Sequence, residues 1–247
     1  MNIDPIAYYH GPMTSKFGIP RQGGLVKSMP GRIVFEPPYR SADAVRGLDG
    51  FDYLWMIWGF SANSDKQQHN SGQQQPHNDS QEPVTPHSPT LTVRPPRLGG
   101  NERIGVFASR SPFRPNALGL TCAYINKVET DPRLGPVIHV SGADLMDGTP
   151  IYDIKPYVAY ADSHSDARSG FVDSNAWQSL NVDIPTDIAT ALTEGQLQVL
   201  RDVLAQDPRP QYHNDPQRVY GMPFDGHNVR FTVSEGTVRV VEIAKTV

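Results

Sequence analysis

The chain has little of what a disulfide-rich or membrane protein requires. Its 247 residues include a single cysteine, Cys122, so no disulfide can form within the chain. The apolar run Leu54–Phe60 is far too short to span a bilayer as a helix. The first residues, MNIDPI, lack the basic and apolar regions of a secretory signal. We therefore expect a cytoplasmic protein without a membrane segment, in which Cys122 is a small buried strand residue rather than a nucleophile.

Several common catalytic and nucleotide-binding motifs are also absent. The sequence has no P-loop motif and no G-x-G-x-x-G after a strand, which argues against a P-loop or a dinucleotide Rossmann site. It has no G-x-S-x-G elbow and no H-E-x-x-H motif. His69, His77 and His87 have the spacing of no common metal site, so we predict no metal. A net charge of -4 argues against bulk electrostatic binding of nucleic acid but leaves room for a local basic surface.

Turn-forming residues are abundant, with 23 prolines and 21 glycines, which is typical of a mainly β chain. Short β-branched or aromatic runs between turn residues read as strands, and their spacing suits a barrel or a sandwich. The predicted strands are Ile3–Tyr9, Leu25–Phe35, Phe51–Phe60, Ile104–Ala108, Ala117–Val128 and Val137–Ala143. One short helix is predicted at Ala42–Leu48.

The composition changes twice along the chain. From about residue 61 to 91 it becomes almost entirely polar, and we predict a disordered surface insertion there. After Tyr160 an apolar helical stripe at Asp183–Gln206 predicts one or two helices, broken at Gly195, with Thr186 or Thr193 as N-cap. Two alternating runs around residues 234–236 then predict a hairpin. The sequence thus predicts a first domain over residues 1–165 and a small α+β domain over residues 166–247.

The segment from residue 94 to 120 is the most informative in the chain. It carries five arginines that only one acid, Glu102, interrupts, while prolines and glycines prevent them from forming one helix face. The guanidinium fork suits carboxylate or phosphate oxygens, so this pattern favours a concave anion site. A solvated rim with ordinary ion pairs is the alternative. The five are Arg94, Arg97, Arg103, Arg110 and Arg114.

Acidic and aromatic residues form two further candidate sites. The run D-L-M-D-G-T-P-I-Y-D-I-K carries Asp144, Asp147 and Asp153, which can bind hydroxyls or a cation, although D-G-T-P is also an ordinary turn signature. Trp55 and Trp58 belong to a core or offer a stacking face to a base or a sulfonium. Residue chemistry alone predicts a β-rich protein with an arginine-lined site for a nucleotide or RNA, and it leaves the reaction open.

Several long motifs occur together and in register with a known family. They are IPRQGGLVKS, ADAVRGL, VRPPRLGGN, IGVFASRSPFRPNALGL, DLMDGTPIYDIKPY and LAQDPRPQY. In these the chain resembles the TrmO family, also called TsaA-like or YaeB-like, over nearly its whole length except the polar insertion and part of residues 160–180. The resemblance implies a mainly β fold, with an N-terminal TsaA-like β-barrel cofactor domain followed by a small α+β C-terminal domain.

The resemblance also implies an activity and partners. The family is S-adenosyl-L-methionine-dependent and methylates N6 of threonylcarbamoyladenosine next to the anticodon of threonine tRNA, and its members are homodimers. By position, cofactor contacts fall on Pro20, Arg21, Gln22, Phe60, Ser61, Arg110, Leu120, Asp144, Leu145, Met146 and Asp147. The family commonly has a His-Gln pair after the aromatic strand, where this chain has Ser61 and Ala62.

The remaining roles concern proton transfer and RNA. The carbamoylated N6 must lose a proton, and Asp147 and Asp153 are the candidate bases. The predicted phosphate contacts are Arg97, Arg103, Arg114, Lys155 and Arg209. Two alternatives stay open: a non-catalytic RNA- or nucleotide-binding regulator on the same barrel, and a hydrolase that uses the three aspartates around a divalent ion.

Overall fold

The computed structural model describes residues 3–61, 91–95, 102–175, 178–210 and 215–246. Almost all of the predicted polar insertion, and Arg97, lie outside these ranges. In chain order the strands are β1 (Ala7–His10), β2 (Pro30–Phe35), β3 (Tyr53–Gly59), β4 (Thr92–Val93), β5 (Ile104–Gly105), β6 (Leu118–Asp131), β7 (Gly135–Ser141), β8 (Thr149–Pro156), β9 (Asn181–Asp183), β10 (Tyr220–Phe224), β11 (His227–Ser234) and β12 (Thr237–Lys245).

The helices are few and short. The α-helices are α1 (Ala159–Asp162), α2 (Thr186–Ala189) and α3 (Glu194–Leu204). The single-turn 3-10 helices are Pro37–Tyr39, Ala42–Val45, Leu48–Gly50, Val106–Ala108 and Gly170–Val172. No helix within the described ranges is long and apolar enough to cross a membrane.

Six strands close into an antiparallel barrel with the order β1-β2-β7-β6-β3-β8. Side chains alternate between its interior and its outer face, as the pleat of a strand requires. On β3, Leu54, Met56 and Trp58 point into the barrel core, while Trp55 and Ile57 point outward. The predicted mainly β fold with an N-terminal barrel is therefore confirmed.

A second core holds the C-terminal unit together. The sheet β10-β11-β12-β9 packs against α3, whose apolar side includes Leu200 and Leu204. Met13, Val26 and Met29, from the segment between β1 and β2, belong to this same core. The loop that leaves the first barrel strand is therefore buried against the C-terminal sheet and helix.

The predicted C-terminal hairpin is confirmed by β11 and β12, but details of the helices differ. The apolar stripe at Asp183–Gln206 does form two helices. They are separated at residues 190–193 rather than at Gly195, which lies inside α3. Thr193 is the N-cap of α3 with a complete capping box. Thr186 was wrongly considered a cap, because it is the first residue of α2, which follows Pro185 without a side-chain cap.

Other predictions need correction. The predicted helix Ala42–Leu48 is a 3-10 turn at Ala42–Val45 followed by another at Leu48–Gly50. The predicted strand Ile104–Ala108 pairs for only two residues before a 3-10 turn begins. Cys122 was expected to be buried, but it is half-buried because it points to the outer face of β6, opposite Trp55.

Candidate functional site

A cavity of about 810 Å³ opens on the outer face of the barrel. Its floor is formed by β3 and β6. Its rim is formed by the loop after β1 and by the arginine segment, and one end is closed by the turn before β8. The lining residues are Lys16, Ile19, Pro20, Arg21, Gln22, Trp55, Ile57, Trp58, Gly59, Phe60, Ser61, Ser109, Arg110, Pro112, Arg114, Leu118, Gly119, Leu120, Asp144, Met146 and Thr149.

The floor of the cavity is apolar because it is the outer surface of two paired strands. Ile57 of β3 lies directly opposite Leu120 of β6, and both point away from the barrel core. Gly119 lies against the ring of Trp58, and a Cβ at this position would overlap the indole. The close approach of strand and indole therefore depends on glycine at position 119.

The loop with Pro20, Arg21 and Gln22 is held by the C-terminal unit. At its start, Gly18 has a φ of +97°, and a Cβ there would overlap Met222. Further on, the guanidinium of Arg21 donates a hydrogen bond to the main-chain oxygen of Asp207, at 3.4 Å. The position of this rim is thus set by residues nearly two hundred positions away in the chain.

The arginine segment meets this loop across the cavity. Arg110 Nη1 donates a hydrogen bond of 2.7 Å to Oε1 of Gln22. Arg114 lines the cavity and donates from Nη1 to the main-chain oxygen of Ser109, at 2.9 Å. The bond between Arg110 and Gln22 joins two motifs that lie 88 residues apart in the sequence, whereas the bond from Arg114 is internal to the arginine segment.

Asp144 is a half-buried residue that lines the cavity. Its Oδ1 accepts a hydrogen bond of 2.6 Å from the hydroxyl of Thr121, whose oxygen in turn accepts one of 3.0 Å from the indole N–H of Trp58. Burial raises the pKa of Asp144, and this effect outweighs the opposing effects of the Thr121 hydroxyl, the Gly23 amide and the charge of Arg110.

The structure brings together most of the cofactor contacts predicted from the sequence. Those that line the cavity are Pro20, Arg21, Gln22, Phe60, Ser61, Arg110, Leu120, Asp144 and Met146. Leu145 instead has its side chain buried in the barrel core, so the side chain does not contribute to the cavity wall.

Asp147 lies beside the cavity rather than on its wall. It is flanked in sequence by Met146 and, two positions later, Thr149, which both line the cavity. Its Oδ1 accepts a hydrogen bond from the main-chain N–H of Gly11 at 3.2 Å and lies 3.1 Å from Nδ1 of His10. The predicted turn is present, with Gly148 at a φ of +76°.

Asp153 and Lys155 lie on the same outer barrel face as the cavity floor. Asp153 is directly opposite Ile57, and Lys155 is opposite Trp55. The two side chains form a partly exposed ion pair of 3.0 Å. Both predicted residues therefore border the cavity floor, one strand away from the side chains that line it.

The other predicted RNA contacts are dispersed. Arg103 is exposed and donates to Oγ1 of Thr92 at 3.2 Å, on the small β4-β5 pair. Arg209 is only 20% exposed, and its Nε lies 2.9 Å and 3.1 Å from the two carboxylate oxygens of Asp207. Arg209 is thus held in an ion pair with Asp207.

The three aspartates do not form a cation site. Among the described residues, no group of three or more histidine, cysteine, aspartate or glutamate side chains is arranged to hold a metal ion. Asp144, Asp147 and Asp153 therefore do not support the metal-dependent hydrolase considered from the sequence.

Sequence reasoning missed some residues of the site. Thr121 and Thr149 are buried hydroxyl residues beside the cavity, and the Thr149 hydroxyl donates to the main-chain oxygen of Met146 at 2.7 Å. The only sign of this role for Thr121 in the sequence was a hydroxyl residue within an otherwise apolar strand. Ile57 was also missed. Its side chain is known to point outward only once the structure shows which residues of β3 point into the barrel core.

Comparisons with known proteins agree with this arrangement. A family model described as the tRNA-methyltransferase O N-terminal domain matches residues 8–163, and one described as the TrmO C-terminal domain matches residues 178–246. A crystal structure of TrmO from Pseudomonas aeruginosa superposes with a TM-score of 0.72 at 27% identity, covering 99% of this chain and 98% of the other.

Two curated relatives are similar over most of their length. The tRNA (adenine(37)-N6)-methyltransferase of Escherichia coli K12 is 36% identical over 246 residues, which cover 96% of this chain and 95% of the relative. A protein of Pseudomonas aeruginosa PAO1, provisionally named an S-adenosylmethionine-dependent methyltransferase, is 34% identical over 90% of this chain and 87% of its own. Matches to both domain models and to a relative along nearly the whole chain show that this protein belongs to the TrmO family.

Proposed function

We propose that this protein transfers a methyl group from S-adenosyl-L-methionine to N6 of threonylcarbamoyladenosine, next to the anticodon of threonine tRNA. One observation carries the proposal: the cavity on the outer barrel face joins an apolar aromatic floor, a half-buried carboxylate and two arginine-bearing loops in one space. The names of the relatives favour an enzyme over a non-catalytic regulator.

The cavity suits the proposed cofactor in size and chemistry. Its volume of about 810 Å³ falls in the usual range for small-molecule sites. S-adenosylmethionine supplies an activated methyl on a sulfonium, together with an adenine ring, ribose hydroxyls and a carboxylate. Trp55 and Phe60 offer aromatic surface, Asp144 offers a carboxylate, and Arg21 and Arg110 offer guanidinium donors.

The assignment of individual cofactor contacts is part of this proposal. The side chains named from the sequence contact the cofactor where they line the cavity, and the loop around Leu145 and Asp147 contributes from its main chain. Asp144 suits a positively charged or hydroxyl-bearing group, because a partly desolvated carboxylate regains favourable interactions when it meets one. Gln22 and Arg110, already joined at 2.7 Å, close the opposite rim.

The proposed base is Asp147 or Asp153. An acceptor nitrogen that is conjugated with a carbamoyl group gives up its proton during attack, so a nearby proton acceptor contributes to the rate. On the outer barrel face, Asp153 is the cross-strand neighbour of Ile57. Asp147 is adjacent in sequence to Met146, which lines the cavity. Tyr9 is unsuited to the role, because burial in the barrel raises the pKa of its hydroxyl well above the ordinary value.

Arginine and lysine side chains are proposed to hold the tRNA backbone. Arg114 lines the cavity and Lys155 borders its floor, and Arg97, Arg103 and Arg209 complete the set named from the sequence. Contacts to phosphates release bound counterions, so the affinity for tRNA should fall as salt rises. A base of the anticodon loop is unpaired and can enter a pocket without melting a duplex.

We also propose that the protein acts as a homodimer in the cytoplasm, where its tRNA substrate is available. The outer face that continues from the cavity floor carries partly exposed aromatic side chains, including Tyr53 and Tyr124, whose rings meet edge to face at 5.3 Å. A second copy that covers this face would bury them. The proposed domains are residues 1–165 and 166–247, and the core of the second also takes in Met13, Val26 and Met29 from the first.

Transfer of labelled methyl from S-adenosylmethionine to threonine tRNA tests the proposal. Three substrates are compared: tRNA with threonylcarbamoyladenosine, the same tRNA with unmodified adenosine, and a modified tRNA for another amino acid. Label on the first alone supports the full proposal. Cofactor binding without transfer to any of them would refute the proposed acceptor, and absence of cofactor binding would refute the proposed site.

A further inference from the structure

Two phenylalanines are exposed on the arginine segment at the rim of the cavity. The side chain of Phe107 is 73% exposed and that of Phe113 is 54% exposed. Single exposed apolar residues are common on protein surfaces, so exposure alone indicates no function. The two differ from that ordinary case because they flank the run that contains three residues lining the cavity, Ser109, Arg110 and Pro112.

A network of short-range hydrogen bonds fixes this segment. The Ser109 hydroxyl donates to the main-chain oxygen of Val106 at 2.9 Å, and the main-chain N–H of Ser111 donates to the Ser109 hydroxyl at 3.3 Å. The main-chain N–H of Phe113 then donates to the Ser111 hydroxyl at 3.2 Å. The segment is ordered before a partner arrives, so little conformational entropy would be lost on binding.

The charges beside these rings indicate the kind of partner. Arg110 is exposed, and Arg114 follows Phe113 directly in the chain. A positively charged surface with exposed aromatic rings matches single-stranded nucleic acid, in which the phosphates meet the arginines and the unpaired bases stack on the rings. An apolar protein partner would instead leave these guanidinium groups desolvated without an opposing charge.

We propose that Phe107 and Phe113 are stacking residues for the unpaired anticodon-loop bases that neighbour the target adenosine. This inference rests on the proposed function, since it assumes that the target base enters the cavity whose rim carries the two rings. Stacking of the neighbouring bases on these two rings would hold the flanking nucleotides in place and leave the target base free to enter.

The first experiment compares Phe107→Ala and Phe113→Ala with the wild type in methyl transfer to modified threonine tRNA. Each substitution should raise the KM for tRNA about 5- to 100-fold, the range typical of one lost base-stacking contact. The affinity for S-adenosylmethionine and the salt dependence of tRNA binding should not change, because neither ring carries charge. Phe113→Trp should keep the wild-type KM, since it preserves the stacking surface.

Tyr39→Ala is the matched control. Tyr39 is 43% exposed, does not line the cavity, and follows β2, which lies across the barrel from β3. Its removal should leave the KM for tRNA at the wild-type value. An equal rise in the KM for tRNA in this control and in the Phe variants would overturn the proposal. It would show that removal of any exposed aromatic residue has the same effect.

A fluorescent base identifies the contact directly. With 2-aminopurine placed beside the target adenosine, binding of the wild type should quench its fluorescence, and Phe113→Ala should lose that quenching. Unchanged quenching and an unchanged KM in both variants would overturn the inference. The inference would also be overturned if size-exclusion chromatography showed that a variant loses tRNA binding only because a dimer dissociates. Absence of methyl transfer by the wild type would instead refute the proposed function on which the inference rests.

Discussion

The hydroxyl of the buried Thr121 donates a hydrogen bond of 2.6 Å to Oδ1 of the half-buried Asp144. The same hydroxyl oxygen accepts the indole N–H of Trp58 at 3.0 Å, so a chain of two hydrogen bonds links the barrel core to the carboxylate. Burial raises the pKa of Asp144, while the bond from Thr121 stabilises the charged form. The barrel wall itself therefore helps to set the charge that the cavity presents to a ligand.

Thr121→Val should weaken cofactor binding and lower stability. Valine fits the space but removes the donor to Asp144 and leaves the buried indole N–H of Trp58 without its acceptor, which costs about 1–3 kcal/mol. We expect cofactor affinity to fall about tenfold, since one charge-assisted hydrogen bond is lost. Calorimetry measures the affinity, and thermal unfolding measures the stability.

Thr149→Val is the control for the change from threonine to valine. Thr149 is equally buried, and its hydroxyl donates to the main-chain oxygen of Met146 rather than to a carboxylate. This variant should lose stability but bind the cofactor more tightly than Thr121→Val does. Equal cofactor affinities in the two variants would contradict the role assigned to the bond between Thr121 and Asp144.

Asp144→Asn should stabilise the ligand-free protein at neutral pH while it weakens cofactor binding. The folded-state pKa of Asp144 is raised, so the wild type loses stability as the pH rises through that folded pKa. Asparagine does not titrate. The variant should therefore be more stable than the wild type above the folded pKa, and the difference should shrink as the pH falls below the unfolded-state value.

Thermal unfolding across this pH range, followed by calorimetry with S-adenosylmethionine, measures both effects of Asp144→Asn. A difference in stability that grows as the pH falls would contradict the direction of the pKa shift. Wild-type cofactor affinity in the variant would remove Asp144 from the proposed contacts.

Gly119→Ala should disturb both the barrel core and the cavity. A Cβ at Gly119 would overlap the ring of Trp58, which is packed in the core and is held at its indole nitrogen by Thr121. Overpacking of this kind usually costs about 1–3 kcal/mol. We expect a lower unfolding midpoint in denaturant and weaker cofactor binding.

Gly105→Ala is the matched control for that substitution. Gly105 lies on β5 in the arginine segment, has a φ of -60°, and a Cβ there would have nothing within 4 Å. Its unfolding midpoint should stay at the wild-type value. If the unfolding midpoint of Gly119→Ala equalled that of this control, the close packing of β6 against the Trp58 indole would contribute nothing to stability.

Arg103→Ala should weaken tRNA binding and reduce its salt dependence. Removing one phosphate contact lowers the slope of log affinity against log salt by about one. The control is Arg230→Ala, on the C-terminal sheet, where Arg230 pairs with Glu242 at 2.9 Å. Filter binding at several salt concentrations measures both variants. A slope for Arg103→Ala equal to that of the control would remove Arg103 from the RNA surface.

The barrel could be predicted from the sequence because most of its strands have a clear apolar face and end at turn residues. Strand β8 was missed, since Pro150, Asp153 and Lys155 made its sequence read as a loop. A register shift opposite Ile57 and Trp58 also breaks its alternation. Strand β10 was missed for a similar reason, because its short sequence YGMPF contains both glycine and proline.

The candidate site was predictable as a set of motifs but not as a geometry. Motif similarity named Gln22 and Arg110, and the structure joins them by a hydrogen bond. No pattern could indicate that Thr121 and Trp58 support Asp144, because that relationship exists only after β3 and β6 pair. The contact of Arg21 with the end of α3 likewise depends on how the loop packs against the C-terminal unit.

Analysis of the nucleosides in the product decides whether this barrel methylates one particular nitrogen, as proposed. Modified threonine tRNA is incubated with the protein and S-adenosylmethionine, digested to nucleosides and analysed by mass spectrometry with fragmentation. We expect threonylcarbamoyladenosine to gain one methyl group, which fragmentation places on N6. A methyl group found on another nucleoside or another atom, or no methylated product while the cofactor binds, would contradict the proposal.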